Sequence, residues 1–193
     1  MRRFAPALML VASFAAPATA SAQATPVTSV ANVLDVKAAT YVRDQYLTEL
    51  DSLHSKIVAL ANAIPAEKYA WRPAEGVRSV SEALMHVASE YYFFAPRSLG
   101  ANPPADFGPP RESLPKLEKI TDKTAVLAEL DKAWTHCRGQ FASVDPAQLT
   151  GAYKPWNMTL VQSTLAMTGD LHEHLGQLIA YARSVGVTPP WSK

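Results

Sequence analysis

The chain has 193 residues, which is enough for one domain with a substantial core, and its basic and acidic side chains leave a formal net charge of +1. Because there is no basic surplus to hold a phosphate backbone, nucleic-acid binding is not expected. The single cysteine, Cys137, cannot form an internal disulfide, and its place in an apolar pattern predicts a small buried side chain.

The first 24 residues have the three parts of a secretory signal peptide: a basic end, a short apolar run and an A-x-A cleavage motif ending at Ala24. The apolar run is shorter than the roughly 20 residues that span a bilayer, so we expect cleavage rather than retention as a membrane anchor. Cleavage would change the formal net charge from +1 to −1. We therefore expect a periplasmic or secreted protein without a membrane span, beginning with a flexible leader over residues 25–35.

Four segments then show apolar residues at steps of three and four, the pattern of helices packed side by side in a bundle. The segments run from Val42 to Leu60, from Val80 to Phe94, from Leu127 to Val144 and from Leu160 to Val185. No repeat or internal domain boundary interrupts them. The sequence therefore predicts one all-α domain, a four-helix bundle over residues 36–193.

Capping residues mark the predicted helix ends. Ser79 or Ser81 is placed to cap the second helix, Asp122 the third and Thr159 the fourth, while Gly186 follows the last apolar position. The links before and after the second helix are long. The one after it is rich in Pro and Gly, which favours a crossover connection over a tight hairpin.

Two of the predicted helices carry pairs of metal-competent side chains four residues apart. On an α-helix, such residues are about 40° apart around the axis and about 6 Å apart along it, so both can point to one spot. His86 and Glu90 form one pair on the second helix, and Asp170 and His174 form the other on the fourth. Two imidazoles and a carboxylate suit a divalent transition metal with an open position for water or substrate. We predict metal ligation by His86, Asp170 and His174.

The other polar side chains near these pairs have different expected roles. Glu90 is predicted as a proton acceptor, or as a partner that orients a ligand, and Glu173 is a weaker candidate for the same role. Helical geometry turns His172 to the far side of its helix. His54 and His136 are expected at the surface or edge of the bundle. A buried carboxylate–imidazole pair without metal stays open as an alternative.

With these motifs, the chain resembles the DinB-like proteins, a large group of bacterial four-helix bundles. The likeness extends from about Leu47 to Ser192. The stretch "IPAEKYAWRPAEGVRSVSEALMHVASE" is similar to that family's link into its second helix, with His86 at the first ligand position. The stretch "GDLHEHLGQLIAYARSVGVTPPWS" is similar to the last helix, where a His-x3-His pair usually precedes Gly-Gln. His174 matches the second member of that pair, and Asp170 stands where the first histidine is usual.

The resemblance implies an up-down-down-up bundle, often a homodimer, that binds zinc, nickel or a similar divalent ion. Some relatives are metal-dependent transferases that add a low-molecular-weight thiol to an electrophile, and others look like hydrolases. We therefore expect a metal-dependent hydrolase or thiol transferase that acts on a small molecule. An exported protein meets little reduced thiol, so thiol transfer fits this chain less well. The alternative is a non-catalytic bundle with a structural metal site, a buried polar network or a bound ligand.

Overall fold

The computed structural model of the protein describes residues 34–99, 101, 103–153 and 158–192. The predicted signal peptide lies outside these residues, as do residues 25–33 of the predicted leader. Asp35, the last residue of that leader, accepts a hydrogen bond from the Ala38 amide at 2.7 Å and caps the first helix. Within the described part of the chain, no helix is both long and apolar enough to cross a membrane.

Helices account for most of the described structure, as predicted. In chain order they are α1 (Val36–Ala63), α2 (Val80–Leu99), the short α3 (Pro110–Leu117), α4 (Lys123–Ser143) and α5 (Leu160–Ser184). The links contain 3-10 turns at Ala66–Lys68 and Pro146–Leu149, and the antiparallel strands β1 (Ala152–Tyr153) and β2 (Met158–Thr159).

The predicted capping residues begin three of the four long helices and follow the end of α5. Ser79, the first of the two candidate serines, forms a reciprocal capping box with Glu82: its amide donates to Glu82 Oε2 at 2.6 Å, and the Glu82 amide donates to Ser79 Oγ at 3.3 Å. Thr159 forms the same box at the start of α5, and Asp122 accepts from an amide in the first turn of α4. Gly186, just after α5, has a φ of 83°, which favours glycine.

The four long helices form an up-down-down-up bundle. α1 packs against α4 and α5, and α2 packs against the same two helices, so α1 and α2 lie diagonally across the bundle. Pairs of contacting residues show the helix directions. α1 and α5 are parallel, whereas α1 and α4 are antiparallel, as are α2 and α5. The pairs are Tyr46–Met167 and Glu49–His172, Tyr46–Phe141 and Asp51–Arg138, and Ser98–Met167 and Glu90–His174.

The apolar seams meet in one main core, with a small second cluster of Ala39, Leu149 and Leu160, and His54 is buried with the main core. Its expected place at the surface or edge was wrong: the side chain is 7% exposed, and the ring stacks on Trp134 with centroids 4.3 Å apart. The indole provides a flat apolar partner on α4, which explains the burial. Burial lowers the pKa of His54 to about 4, outweighing the charges of Asp131 and Asp51, so the ring is neutral at neutral pH. Cys137 is fully buried, as predicted.

The link between α2 and α4 contains α3, which the sequence analysis did not predict. Proline in its first turn is compatible with a helix start, since amides there have no intrahelical acceptor. α3 packs against α2 and buries Leu117. Glu118, the next residue, accepts a hydrogen bond from Arg78 Nε at 3.0 Å. The link therefore returns to the start of α2, close to His86.

Candidate metal centre

α2 and α5 meet at their paired polar side chains. His86 and Glu90 lie one turn apart on α2, and His174 faces them from α5. His86 Nε2 is 3.1 Å from Glu90 Oε1, and His174 Nε2 is 3.3 Å from the same oxygen. One ligand atom from each of the three side chains lies within 4.8 Å of the other two, which is close enough to share a metal ion. We call these three residues the His–Glu–His cluster.

The second nitrogen of each imidazole faces an oxygen outside the cluster. His174 Nδ1 lies 3.3 Å from Gln177 Oε1, and the Gln177 amide nitrogen donates to the Tyr181 hydroxyl at 2.9 Å. His86 Nδ1 lies 3.6 Å from Glu118 Oε1, which is longer than a hydrogen bond. An acceptor on this side favours the tautomer with its hydrogen on Nδ1. With a hydrogen on Nδ1, each Nε2 could release its own proton when an ion binds and present its lone pair to that ion, the arrangement found in histidines that ligate metals.

Glu90 has a second buried oxygen, Oε2, that makes no hydrogen bond of normal geometry with a described atom. Its Oε1 faces both imidazoles, whereas its Oε2 is buried and makes no hydrogen bond. Leaving a buried acceptor unpaired costs about 1–3 kcal/mol, and more for a charged group. A divalent cation would supply the missing positive partner. Two imidazole nitrogens and a carboxylate are also a donor set that zinc and nickel accept, so the cluster fits such an ion.

The ionisable groups of the cluster shift one another's pKa values. Burial opposes ionisation of Glu90, but its hydrogen bonds with His174 and His86 outweigh burial and hold the pKa of Glu90 well below its usual range. The same hydrogen bond raises the pKa of His174 against the effect of burial. Burial and the adjacent Glu90 raise the pKa of Asp170. Without an ion, protons therefore balance the charge of Glu90, and metal binding would displace them.

Asp170 lies at the edge of the cluster. Its Oδ1 is 3.9 Å from His174 Nε2, and its side chain is 37% exposed. The fold thus brings the four side chains of the two predicted pairs together, with Glu90 rather than Asp170 in the tight group with His86. Ligation by Asp170 stays a prediction, as does the role of Glu90 as a proton acceptor or orienting partner. Asp170 also lines a cavity of about 220 Å³ between α2 and α5.

Two residues that reach the cluster were missed from the sequence. Gln177 follows the α5 histidine by three residues, a spacing that could have identified it. Glu118 could not have been found, because it arrives from the link after α3. His172 is exposed and lies 3.0 Å from Glu49 of α1, which confirms that it turns away from the site. Glu173 is also exposed and is not part of the cluster.

These features describe a class of protein: an up-down-down-up helical bundle with a His–Glu–His cluster between its second and last long helices. The sequence profile of the DinB superfamily matches residues 49–178, which include the cluster and Asp170. That match spans well over half of the chain, so the chain belongs to the DinB superfamily, and the resemblance noted from its motifs is confirmed. No curated protein matches the chain.

Proposed function

We propose that this protein is a metal-dependent enzyme that acts on a small molecule, with a zinc or nickel ion held between α2 and α5. The observation that carries the proposal is the orientation of His86 and His174. Each ring directs Nε2 towards Glu90 and Nδ1 towards an oxygen outside the cluster. The buried, unpartnered Oε2 of Glu90 supports the same conclusion.

In this proposal His86, Glu90 and His174 hold the ion. When bound, a divalent ion of this kind polarises an oxygen or sulfur ligand and lowers its pKa. Gln177 holds the His174 ring in orientation from outside the cluster. Asp170 stands at the border between cluster and cavity, where its carboxylate can accept a proton from an attacking water molecule. In this proposal Glu90 is the metal ligand, a role that the sequence predicted for Asp170. Asp170 is instead the acceptor of the proton from water.

We propose hydrolysis rather than thiol transfer as the reaction. The signal-like first 24 residues support export to the periplasm or the medium, where reduced low-molecular-weight thiols are scarce. Water is the nucleophile always available there. A neutral aryl ester or amide panel would report this activity, which should disappear on chelation and return when the ion is restored.

A non-catalytic bundle is the second candidate, and one observation favours it. Glu90 Oε1 already lies within 3.3 Å of both imidazole Nε2 atoms, so the three side chains can satisfy one another as a polar network without an ion. A structural ion at the same place would give a closed site. In that case no substrate of the panel would be hydrolysed, and chelation would lower the melting temperature strongly.

Metal analysis of protein purified without a His tag tests the proposal. We expect about one divalent ion per chain in the wild type and little in His86→Ala or His174→Ala, because each variant loses a ligand. His172→Ala is the matched control, since this exposed histidine on α5 pairs with Glu49 instead, and it should retain the ion. A metal-free wild type, or full occupancy in both ligand variants, would overturn the proposal.

A further inference from the structure

A cavity of about 220 Å³ lies between the second half of α2 and the first half of α5 and ends at the candidate metal centre. Phe94 and Ser98 line it from α2, and Met158 lines it from β2. Asp170 is common to both sites: it lines the cavity, and its Oδ1 lies 3.9 Å from His174 Nε2. A molecule in this cavity would therefore lie directly beside the His–Glu–His cluster.

The described walls of the cavity are mainly apolar. Among the described lining residues only Asp170 is charged, and it stands at the end nearest the cluster. Along these walls, an anionic group would lose its hydration without gaining a positive side-chain partner among the described lining residues, whereas apolar surface gains about 25 cal/mol for each Å² that it buries. The apolar walls are formed by Phe94, Met158, Ala166 and Met167.

One polar group in the wall has no partner. Ser163 lines the cavity and is 2% exposed, and its Oγ makes no hydrogen bond with a described atom. A buried hydroxyl without a hydrogen-bond partner lowers the stability of the folded protein by about 1–3 kcal/mol. Ser98, in contrast, already donates to Met167 Sδ at 3.4 Å. Rotation about the Cα–Cβ bond of Ser163 moves its hydroxyl between three staggered positions, so it can turn to meet a hydroxyl or carbonyl group of a ligand.

The volume limits the size of such a ligand. A dry cavity of about 150 Å³ accepts benzene, so one of about 220 Å³ holds a molecule on the order of ten heavy atoms. Ser163 and Asp170 are seven residues apart on α5, roughly 10 Å along the helix axis. A molecule that bonds to Ser163 at one end therefore extends towards the metal centre with the other.

We propose that this cavity binds the substrate, and that the substrate is an uncharged, mainly apolar small molecule with a hydroxyl or carbonyl group that pairs with Ser163. The inference rests on the proposed function, for which it names the substrate class. It assigns Ser163 to substrate positioning, and it assigns the four apolar side chains of the walls to selection by size and polarity.

Two probes of similar shape test this assignment on the full protein. We expect 4-methylphenol, measured by calorimetric or NMR titration, to bind at least tenfold more tightly than 4-methylbenzenesulfonate, which carries a charge but is a weak metal ligand. Ala166→Phe, which adds a ring to the cavity wall, should weaken 4-methylphenol binding at least tenfold. Ala180→Phe places the same ring at an exposed position of α5 away from the cavity, and it should bind as the wild type does. Equal affinity for both probes, or unchanged affinity in Ala166→Phe, would overturn the inference.

Ser163→Ala gives a second test that does not require added volume. It should weaken 4-methylphenol binding several-fold and raise the melting temperature of the ligand-free protein, because the unpaired hydroxyl is removed. Unchanged binding in this variant would exclude Ser163 from substrate positioning. The metal content of each sample separates the two proposals: metal without probe binding defeats this inference alone, whereas probe binding without metal defeats the proposed enzyme and leaves a ligand site.

Discussion

Glu90 and Asp170 differ in how they meet the two imidazoles. Glu90 Oε1 lies 3.1 Å from His86 Nε2 and 3.3 Å from His174 Nε2, whereas Asp170 approaches only His174, at 3.9 Å. Glu90 is also the more buried of the two, so its charge depends more on a positive partner. At the level of single residues, the proposed roles therefore separate into an ion ligand and a proton acceptor.

Conservative substitutions distinguish these roles. Glu90→Gln should lower metal affinity at least tenfold, since it removes the ligand charge, whereas Asp170→Asn should keep the ion and lose most of the activity. Competition with a chromogenic chelator measures the affinity, and the activity is measured at saturating metal. A larger loss of affinity in Asp170→Asn than in Glu90→Gln would return the ligand role to Asp170.

α2 is the element on which the site depends most, because it supplies two of the three cluster residues. Its start is held by the Ser79–Glu82 capping box, two turns before His86. The box satisfies amides that have no acceptor within the helix. The cap therefore contributes to the stability of the helix that presents His86 and Glu90.

Ser79→Ala should lower the free energy of unfolding by about 1 kcal/mol, as is usual when a serine cap is lost. Urea unfolding followed by circular dichroism gives the value. Ser55→Ala is the matched control, because Ser55 is exposed in the middle of α1 and should change stability by less than about 0.5 kcal/mol. A loss in Ser79→Ala no larger than in this control would show that the cap contributes nothing.

The stability of the whole molecule should depend on pH through the buried His54. Burial, which outweighs the charges of Asp131 and Asp51, lowers its folded pKa from 6.5 to about 4. Between these pH values, His54 binds a proton in the unfolded chain but not in the folded protein. The contribution of the neutral His54 to the free energy of unfolding is therefore fully present above about pH 6.5 and is lost as the pH falls towards 4. His54 alone should lower the free energy of unfolding by roughly 3 kcal/mol between pH 6.5 and pH 4.

His54→Phe keeps an aromatic ring beside Trp134 but cannot take up a proton. Urea unfolding at several pH values should show a smaller loss of stability between pH 6.5 and 4 in this variant than in the wild type. The difference isolates His54 from the carboxylates that titrate in the same range. Parallel curves for the two proteins would mean that His54 is protonated in the folded state as readily as in the unfolded chain.

The sequence by itself determined the four long helices, the caps that begin three of them and the inward side of α5. These features follow from local rules: apolar spacing, a side-chain oxygen near free amides, and the four-residue repeat that joins Asp170 to His174. That repeat also predicted that His172 faces away. The family followed from motifs within single helices and the links beside them.

Only the tertiary structure decided which carboxylate approaches both imidazoles, because that depends on how α2 and α5 are rotated about their axes when they pack. It also decided that His54 is buried, since a flat partner on α4 was needed. It brought Glu118 to His86 through the path of the link after α3. Spacing along one helix can say which side chains share a face, but distances between helices arise only when the whole core packs.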